Sequence, residues 1–146
     1  MIWGLKTVAI FDFWTFEHFL SGISIGTIAI RCNRKIFKKQ FHIDKDDIKI
    51  NFFHIILVLF TAYLWETVEH YLEIGIAGYT VEYWFQGVEY WANRIIADPL
   101  AMIVGYYIAK TQPNLVNPAR FMSILWLFFH IFVFPHSMYL HELLWK

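Results

Sequence analysis

Residues 52–73 read FFHIILVLFTAYLWETVEHYLE, and this stretch decides the class of fold. It contains an unbroken apolar run and is about as long as the ~20 residues that a helix needs to cross the hydrocarbon core of a bilayer. Three further stretches, at residues 8–30, 87–110 and 120–145, are comparable in length and composition. The sequence therefore predicts an all-α integral membrane protein whose 146 residues form one domain of four transmembrane helices.

The amino-acid composition supports a membrane protein and excludes other classes. Hydrophobic residues make up 58% of the chain and charged residues 16%, whereas soluble domains contain roughly 45–50% and about 25%. Such a chain is too apolar to be disordered or to fold as a soluble domain. Its single cysteine, Cys32, excludes a disulfide scaffold, and its formal net charge of zero gives no indication of nucleic-acid binding.

The distribution of basic residues predicts an orientation in the membrane. The loop at residues 31–51 holds seven of the twelve Lys and Arg residues, and the loop after the third stretch is bounded by Lys110 and Arg120. The loop at residues 74–86 has no basic residue and is rich in aromatic ones, which suit the headgroup region of a bilayer. Because basic loops stay in the cytoplasm, we expect both termini outside it and the aromatic loop along the outer interface.

All four stretches carry ionisable residues, which are costly inside a bilayer and require partners or a wet cavity. In the predicted topology His18, Asp98 and His130 lie near the midplane, and the other ionisable residues lie toward the outer side. We therefore expect a cavity that opens to the outer face. Gly22 and Gly26 follow His18 on the same helix face and predict a close contact with another helix.

The second stretch supplies several candidate metal ligands. Glu66, Glu69 and His70 share one helix face because of their spacing. Carboxylates and imidazoles together are ligands for zinc, iron or manganese. We predict a divalent metal site made of the following residues: His18, Glu66, Glu69 and His70.

The third stretch supplies the candidate catalytic residues, Arg94 and Asp98. Asp98 is expected to act as a further ligand or as a general base. Arg94 precedes it by four residues, so the two side chains can pair, and Arg94 would then orient Asp98 or hold an anionic head group. Two alternatives stay open: the charged residues form a structural ion-pair network, or two histidines bind haem. The Glu-x-x-His motif of di-iron bundles does not occur in the chain.

The remaining ionisable residues have simpler interpretations. Three glutamates are expected to extend toward the membrane interface: Glu17, Glu73 and Glu142. The histidines of the last stretch are interpreted as packing or interfacial residues whose role stays open: His130, His136 and His141.

Two motifs resemble those of VanZ-like membrane proteins. They are Trp65-Glu-Thr-Val-Glu-His70 and Asn93-Arg-Ile-Ile-Ala-Asp-Pro-Leu-Ala-Met-Ile-Val-Gly105, and the segment from Asp12 to Gly22 in the first helix resembles the family more weakly. Within the family the chain is most similar to a branch of uncharacterised bacterial inner-membrane proteins. The resemblance implies a small helical fold in that membrane with functional polar residues on the second and third helices. It implies no defined reaction.

Two main hypotheses about function follow from these observations, and a transporter is a third, although four helices are too few to alternate access without oligomerising. In the first, the acidic and histidine site binds metal and acts on a lipid or a small envelope molecule from the outer face. In the second, the chain is a non-catalytic accessory subunit of a larger membrane complex, as its small size and its 15 Phe, 8 Tyr and 7 Trp residues suggest. The expected partners are membrane lipids, other membrane subunits or further copies of the chain, and whether the protein is an enzyme stays open.

Overall fold

The computed structural model describes residues 1–40 and 48–144, with side chains for residues 1–32 and 50–144. The described part contains six α-helices and no strand, which confirms the all-α prediction. A π-helical turn, Asn93–Ala97, leads into the fourth helix, and a second one, Phe129–Val133, follows the fifth. The helices are α1 (Trp14–Gln40), α2 (Ile48–Glu73), α3 (Tyr79–Phe85), α4 (Asp98–Thr111), α5 (Val116–Phe128) and α6 (Tyr139–Leu144).

Helices α1 and α4 form the central pair of the bundle. They approach closely because glycines face each other across the contact. A Cβ atom added to Gly26 would lie 2.8 Å from the Cα atom of Tyr106, and one added to Gly22 would collide with the backbone of Met102. The close helix contact predicted at Gly22 and Gly26 is confirmed, and its partner is α4.

Helices α2 and α5 flank this pair. Helix α2 packs against both α1 and α4, and α5 packs against α1. Among the described helices, two are long and apolar enough to cross a membrane, Ile50–Glu73 and Pro113–Val133. Most of each of these two helices is exposed on the surface of the bundle.

The chain runs up and down through the bundle, so its two ends differ in composition. At one end, named here the polar end, α1 begins, α2 ends and α4 begins, and buried carboxylates concentrate there. At the opposite end, named the apolar end, the interior between α1, α2 and α4 is filled by Ala29, Val58 and Tyr106.

The first and third helices begin later than the sequence predicts. Helix α1 starts at Trp14, because the Asp12 carboxylate accepts hydrogen bonds from the N–H groups of Trp14 and Thr15 at 2.7 and 3.1 Å. Residues 1–13 fold back as an irregular segment. The N–H of Tyr90 donates to the carbonyl of Lys6 at 2.8 Å, which ties that segment to the irregular residues before α4.

The prediction of one helix over residues 120–145 is wrong at both ends. Regular helix begins earlier, at Val116, and ends with the π-helical turn at Val133. Phe134 then takes an extended conformation, which the proline after it favours. The chain resumes as the separate short helix α6.

The aromatic loop at residues 74–86 contains a short helix. Gly78, with φ of +94°, precedes α3, and Gln86 and Gly87 end it with φ of +60° and +106°. These left-handed positions favour glycine and allow the chain to turn sharply at each end of α3. Helix α3 packs against α2 and exposes Tyr79 and Tyr83.

Candidate functional site

Six buried carboxylates lie at the polar end of the bundle, each at most 5% exposed. Three come from one face of α2, where the spacing of the glutamates follows the helical repeat. The others come from the residue that caps α1, the irregular segment before α4 and the first residue of α4. They are Asp12, Glu66, Glu69, Glu73, Glu89 and Asp98.

Two cations are buried among these acids, Lys6 and Arg94. The Nζ atom of Lys6 lies 2.5 Å from Oε1 of Glu73 and 4.7 Å from the centre of the Phe85 ring. The guanidinium of Arg94 bonds Oε2 of Glu73 and lies 3.5 Å from Oε2 of Glu89. Glu73 is therefore held by both cations, and the expectation that it extends toward an interface is wrong.

The expected direct pairing of Arg94 with Asp98 is not what the structure shows. The N–H of Asp98 bonds the carbonyl of Asn93, five residues earlier, so a π-helical turn separates the two side chains. In such a turn the residue stacked over Arg94 is no longer the fourth one after it. Arg94 points toward α2 instead, where its Nε lies 3.7 Å from Oε2 of Glu66.

His70 has a different place from the one predicted. Its Nδ1 lies 3.1 Å from Nη1 of Arg94, and its side chain is half-buried. Neither of the two groups of potential metal ligands found in the described residues includes His70. The structure brings together the other predicted residues, His18, Glu66, Glu69 and Asp98.

The potential metal ligands form two groups that share Glu66. One ligand atom from each of His18, Glu66 and Glu69 lies within 4.8 Å of the other two. The same holds for Glu66, Glu89 and Asp98. The two groups are also linked by His18, whose Nε2 is 3.4 Å from both Oε1 of Glu66 and Oδ2 of Asp98.

The carboxylates of Glu66 and Asp98 have unsatisfied oxygen atoms. Within the described part of the chain, no donor meets either oxygen of either side chain in good hydrogen-bond geometry, although both residues are at most 2% exposed; the side chain of Glu89 lies near both carboxylates and that of Thr15 near Asp98. Buried polar atoms almost always have a hydrogen-bond partner, because an unsatisfied one costs free energy. A proton, a water molecule or a cation must therefore provide the missing partner for these oxygen atoms. A cation is chemically suitable, because zinc, iron and manganese bind imidazole nitrogen together with carboxylate oxygen.

Charge counting leads to the same conclusion. Six carboxylates share two cations, which leaves four excess negative charges when all six are ionised and the histidines are neutral, and the buried Glu17 nearby adds a fifth. Uncompensated buried charges cost several kcal/mol each. The polar end therefore requires further protons or bound cations.

A cavity of about 600 Å³ adjoins the site. His18 and Glu69 lie at its wall, and the rest of its lining is mainly apolar and includes Trp65 from α2 and Leu127 from α5. Helix α1 lies along the cavity and α3 lies at one end of it. The cavity gives a molecule bound in it direct access to His18 and Glu69, two of the potential metal ligands.

Glu17 also lines this cavity, and its expected extension toward an interface is wrong. Its Oε1 accepts hydrogen bonds from Ser21, at 2.9 Å, and from Ser123. One oxygen of this carboxylate is thus satisfied within the bundle, whereas its Oε2, like the oxygens of Glu66 and Asp98, has no hydrogen-bond partner among the described residues. Glu142 is 42% exposed at its side chain and lies 3.4 Å from Nε2 of His136.

The histidines of the last part of the chain lie apart from the carboxylates. His130 is buried, with its ring centre 4.9 Å from those of Trp14 and Trp126. His141 packs edge-on against Phe13 at 6.5 Å. Because the helix ends at Val133, His136 and His141 lie beyond the π-helical turn and outside the four long helices of the bundle.

Sequence reasoning missed Lys6 and Glu89 as members of the site. Lys6 precedes the first predicted helix, so no periodic pattern relates it to Glu73. Glu89 also lies in an irregular segment. Its spacing of four residues from Asn93 gave a weak signal, and in the structure Nδ2 of Asn93 donates to Oε1 of Glu89 at 2.9 Å. Glu73 had a clear signal, since it continues the face of Glu66 and Glu69.

Comparison of the chain with protein-family models, curated proteins and solved structures gives no match. The resemblance to VanZ-like proteins therefore stays a prediction from the residues that carry it.

Proposed function

We propose that this chain is a small integral membrane protein that binds a divalent metal at its polar end and acts there on a lipid or a small envelope molecule. In this proposal α1, α2, α4 and α5 all cross a bacterial inner membrane. The polar end and both termini then lie on the non-cytoplasmic side, as the basic loops predict.

The distribution of exposed residues supports four spanning helices. Helices α1 and α4 are less apolar than the other two, but their polar residues, such as His18 and Asp98, are buried inside the bundle. The surface of α4 instead exposes Leu100, Val104 and Tyr107. Polar residues inside and apolar residues outside is the arrangement that a bilayer requires.

The unsatisfied carboxylates of Glu66 and Asp98 beside His18 are the observation that carries the metal proposal. His18, Glu66 and Glu69 are proposed as ligands, and Asp98 is proposed as a ligand rather than as a free base, since both of its oxygens lack a hydrogen-bond donor. Arg94 is proposed to balance the charge of the acids around it, because its guanidinium already faces carboxylates on two sides. This leaves it little capacity for an anionic head group.

The adjoining cavity supports a lipid as the molecule acted upon. Its volume of about 600 Å³ falls within the range of roughly 300–1,000 Å³ that is typical of small-molecule sites. Its largely apolar walls suit a hydrocarbon chain, whereas His18 and Glu69 place polar chemistry at one side. A bound divalent metal would supply Lewis-acid polarisation of an oxygen at that position.

Elemental analysis of the protein purified in detergent without chelators tests this proposal. We expect at least one equivalent of zinc, iron or manganese per chain, and its loss in Glu66→Gln with the helical content retained, because an amide is a much poorer ligand. Glu82→Gln is the matched control, since Glu82 lies exposed on α3. Absence of metal from the wild-type protein, even after incubation with these ions, would contradict the proposal. Co-purification of other membrane subunits would then favour an accessory subunit.

A further inference from the structure

We infer that the polar end holds two divalent ions, with the Glu66 carboxylate bridging them. This inference rests on the proposed metal site and specifies how many ions the site binds and which residues bind each ion. The first ion is bound by His18, Glu66 and Glu69, and the second by Glu66, Glu89 and Asp98.

The geometry of Glu66 supports a bridging role. Its Oε1 faces His18 at 3.4 Å, whereas its Oε2 faces Arg94, whose guanidinium also contacts Glu89. Glu66 is the residue that the two ligand groups share, and its Oε2 lies beside the Arg94 guanidinium, so an ion in the second group would lie next to that cation. A carboxylate that binds one ion through each oxygen spans the ~3.5–4 Å separation found in two-metal sites.

The number of unsatisfied oxygens requires more than the first ion. An ion bound by His18, Glu66 and Glu69 satisfies one oxygen of Glu66, but it reaches neither Glu89 nor the second oxygen of Glu66. Oδ1 and Oδ2 of Asp98, Oε2 of Glu66 and Oε2 of Glu89 are all buried without a hydrogen bond in the described part of the chain. These atoms belong to the three residues of the second group, each of which offers one ligand atom to a cation there.

The charge of the polar end leaves room for two divalent ions. The six carboxylates exceed the two cations Lys6 and Arg94 by four charges, and the nearby buried Glu17 adds a fifth, so two divalent ions and one proton neutralise the excess. A single divalent ion leaves three negative charges in the interior of the bundle, where only protons could balance them.

The number of metal ions bound per chain distinguishes a site with two ions from a site with one. Metal-free protein in detergent is loaded with Mn²⁺ and desalted, and bound manganese is then measured by elemental analysis and by electron paramagnetic resonance. We expect two ions per chain and the exchange-coupled signal of two neighbouring Mn²⁺ ions. Because this readout needs only the wild-type chain, it does not depend on any variant that fails to fold.

Variants assign the ions to the two ligand groups. Glu69→Gln and Asp98→Asn are each expected to retain one ion and lose the coupled signal, and Glu66→Gln is expected to weaken both sites. The matched control is Glu82→Gln, because Glu82 is an exposed carboxylate on α3 and belongs to neither ligand group; it should keep two ions. One ion per chain with an uncoupled signal in the wild-type protein would overturn the two-ion inference and leave the metal proposal standing. No bound ion would overturn both.

Discussion

The two ends of the bundle bury their side chains in different ways. At the apolar end, small and apolar residues such as Ala29 and Val58 fill the space between helices, as expected for packing that maximises stability. At the polar end, the same helices bury six carboxylates with only two cations. A buried, incompletely paired carboxylate is destabilising, so packing alone does not explain the polar end. The contrast favours a polar end retained for binding.

The backbone also differs between the two ends, because it is less regular at the polar end. Both π-helical turns of the described chain, Asn93–Ala97 and Phe129–Val133, lie at the polar end. Such turns are less stable than α-helix and occur frequently at functional sites. The first one directs Arg94 toward α2 while Asp98 faces His18. An unbroken α-helix would place these two side chains on one face instead.

Labelling both ends from outside the cell tests which end faces the cytoplasm. In a Cys32→Ser background, we place single cysteines at Ala77, before α3 at the polar end, and at Asn114, in the turn between α4 and α5. An impermeant thiol reagent should label Ala77→Cys in intact cells and Asn114→Cys only after permeabilisation, an all-or-none difference. The reverse pattern would show that the polar end faces the cytoplasm.

Removing the buried lysine should have the largest effect on stability. Lys6→Met leaves Glu73 and its neighbours with less positive charge, and breaking a buried ion pair costs about 3–5 kcal/mol. We expect unfolding in detergent, followed by circular dichroism, to show a loss of that size. Lys6→Met combined with Glu73→Gln should lose less, because the pair is then removed together.

The control for this change is Lys110→Met at the apolar end. Lys110 is exposed, and its Nζ donates to Oδ1 of Asn51 at 2.9 Å. The effect should be below about 1 kcal/mol, as for other exposed pairs. Equal effects of the two lysine changes would mean that Lys6 is not buried as the structure shows.

Closing the gap between the central helices should have the next largest effect. Gly22→Leu forces a side chain into the backbone of Met102, and overpacking of this kind costs about 2–3 kcal/mol. Ile28→Leu on the same helix is the control, because Ile28 is 52% exposed. The melting temperature in detergent should fall for Gly22→Leu only. If both variants melted like the wild type, α1 and α4 would not be in contact at this position.

The apolar half of the fold could be predicted from sequence more fully than the polar half. Hydrophobic length locates α2 to within a few residues, and the glycine spacing at Gly22 and Gly26 identifies the closest helix contact. These features depend on helical periodicity, which the sequence displays directly. By contrast, the place of Lys6 depends on the path of an irregular segment.

The candidate site was predicted in part for the same reason. His18, Glu66 and Glu69 lie on regular helices, and the structure brings them together. His70 shares the helix face but is directed to Arg94, because a π-helical turn that the sequence does not signal carries Arg94 there. Pairings within one regular helix are readable from spacing, whereas pairings across a π-helical turn are not.

Removing a hydroxyl group at the apolar end should have the smallest effect on stability, and it tests whether the metal site is confined to the polar end. Tyr106 is fully buried between α1 and α2, and its hydroxyl group lies 3.3 Å from Nδ1 of His54. Tyr106→Phe should lower the free energy of unfolding by about 1 kcal/mol, which is the typical net value of one neutral hydrogen bond. Bound metal, measured on the same sample, should not change, because this hydrogen bond lies in the apolar half of the bundle. Glu66→Gln also alters a single polar group, yet it is expected to release metal. If Tyr106→Phe released metal as well, the two ends would be coupled, and the division between a packing end and a binding end would be wrong.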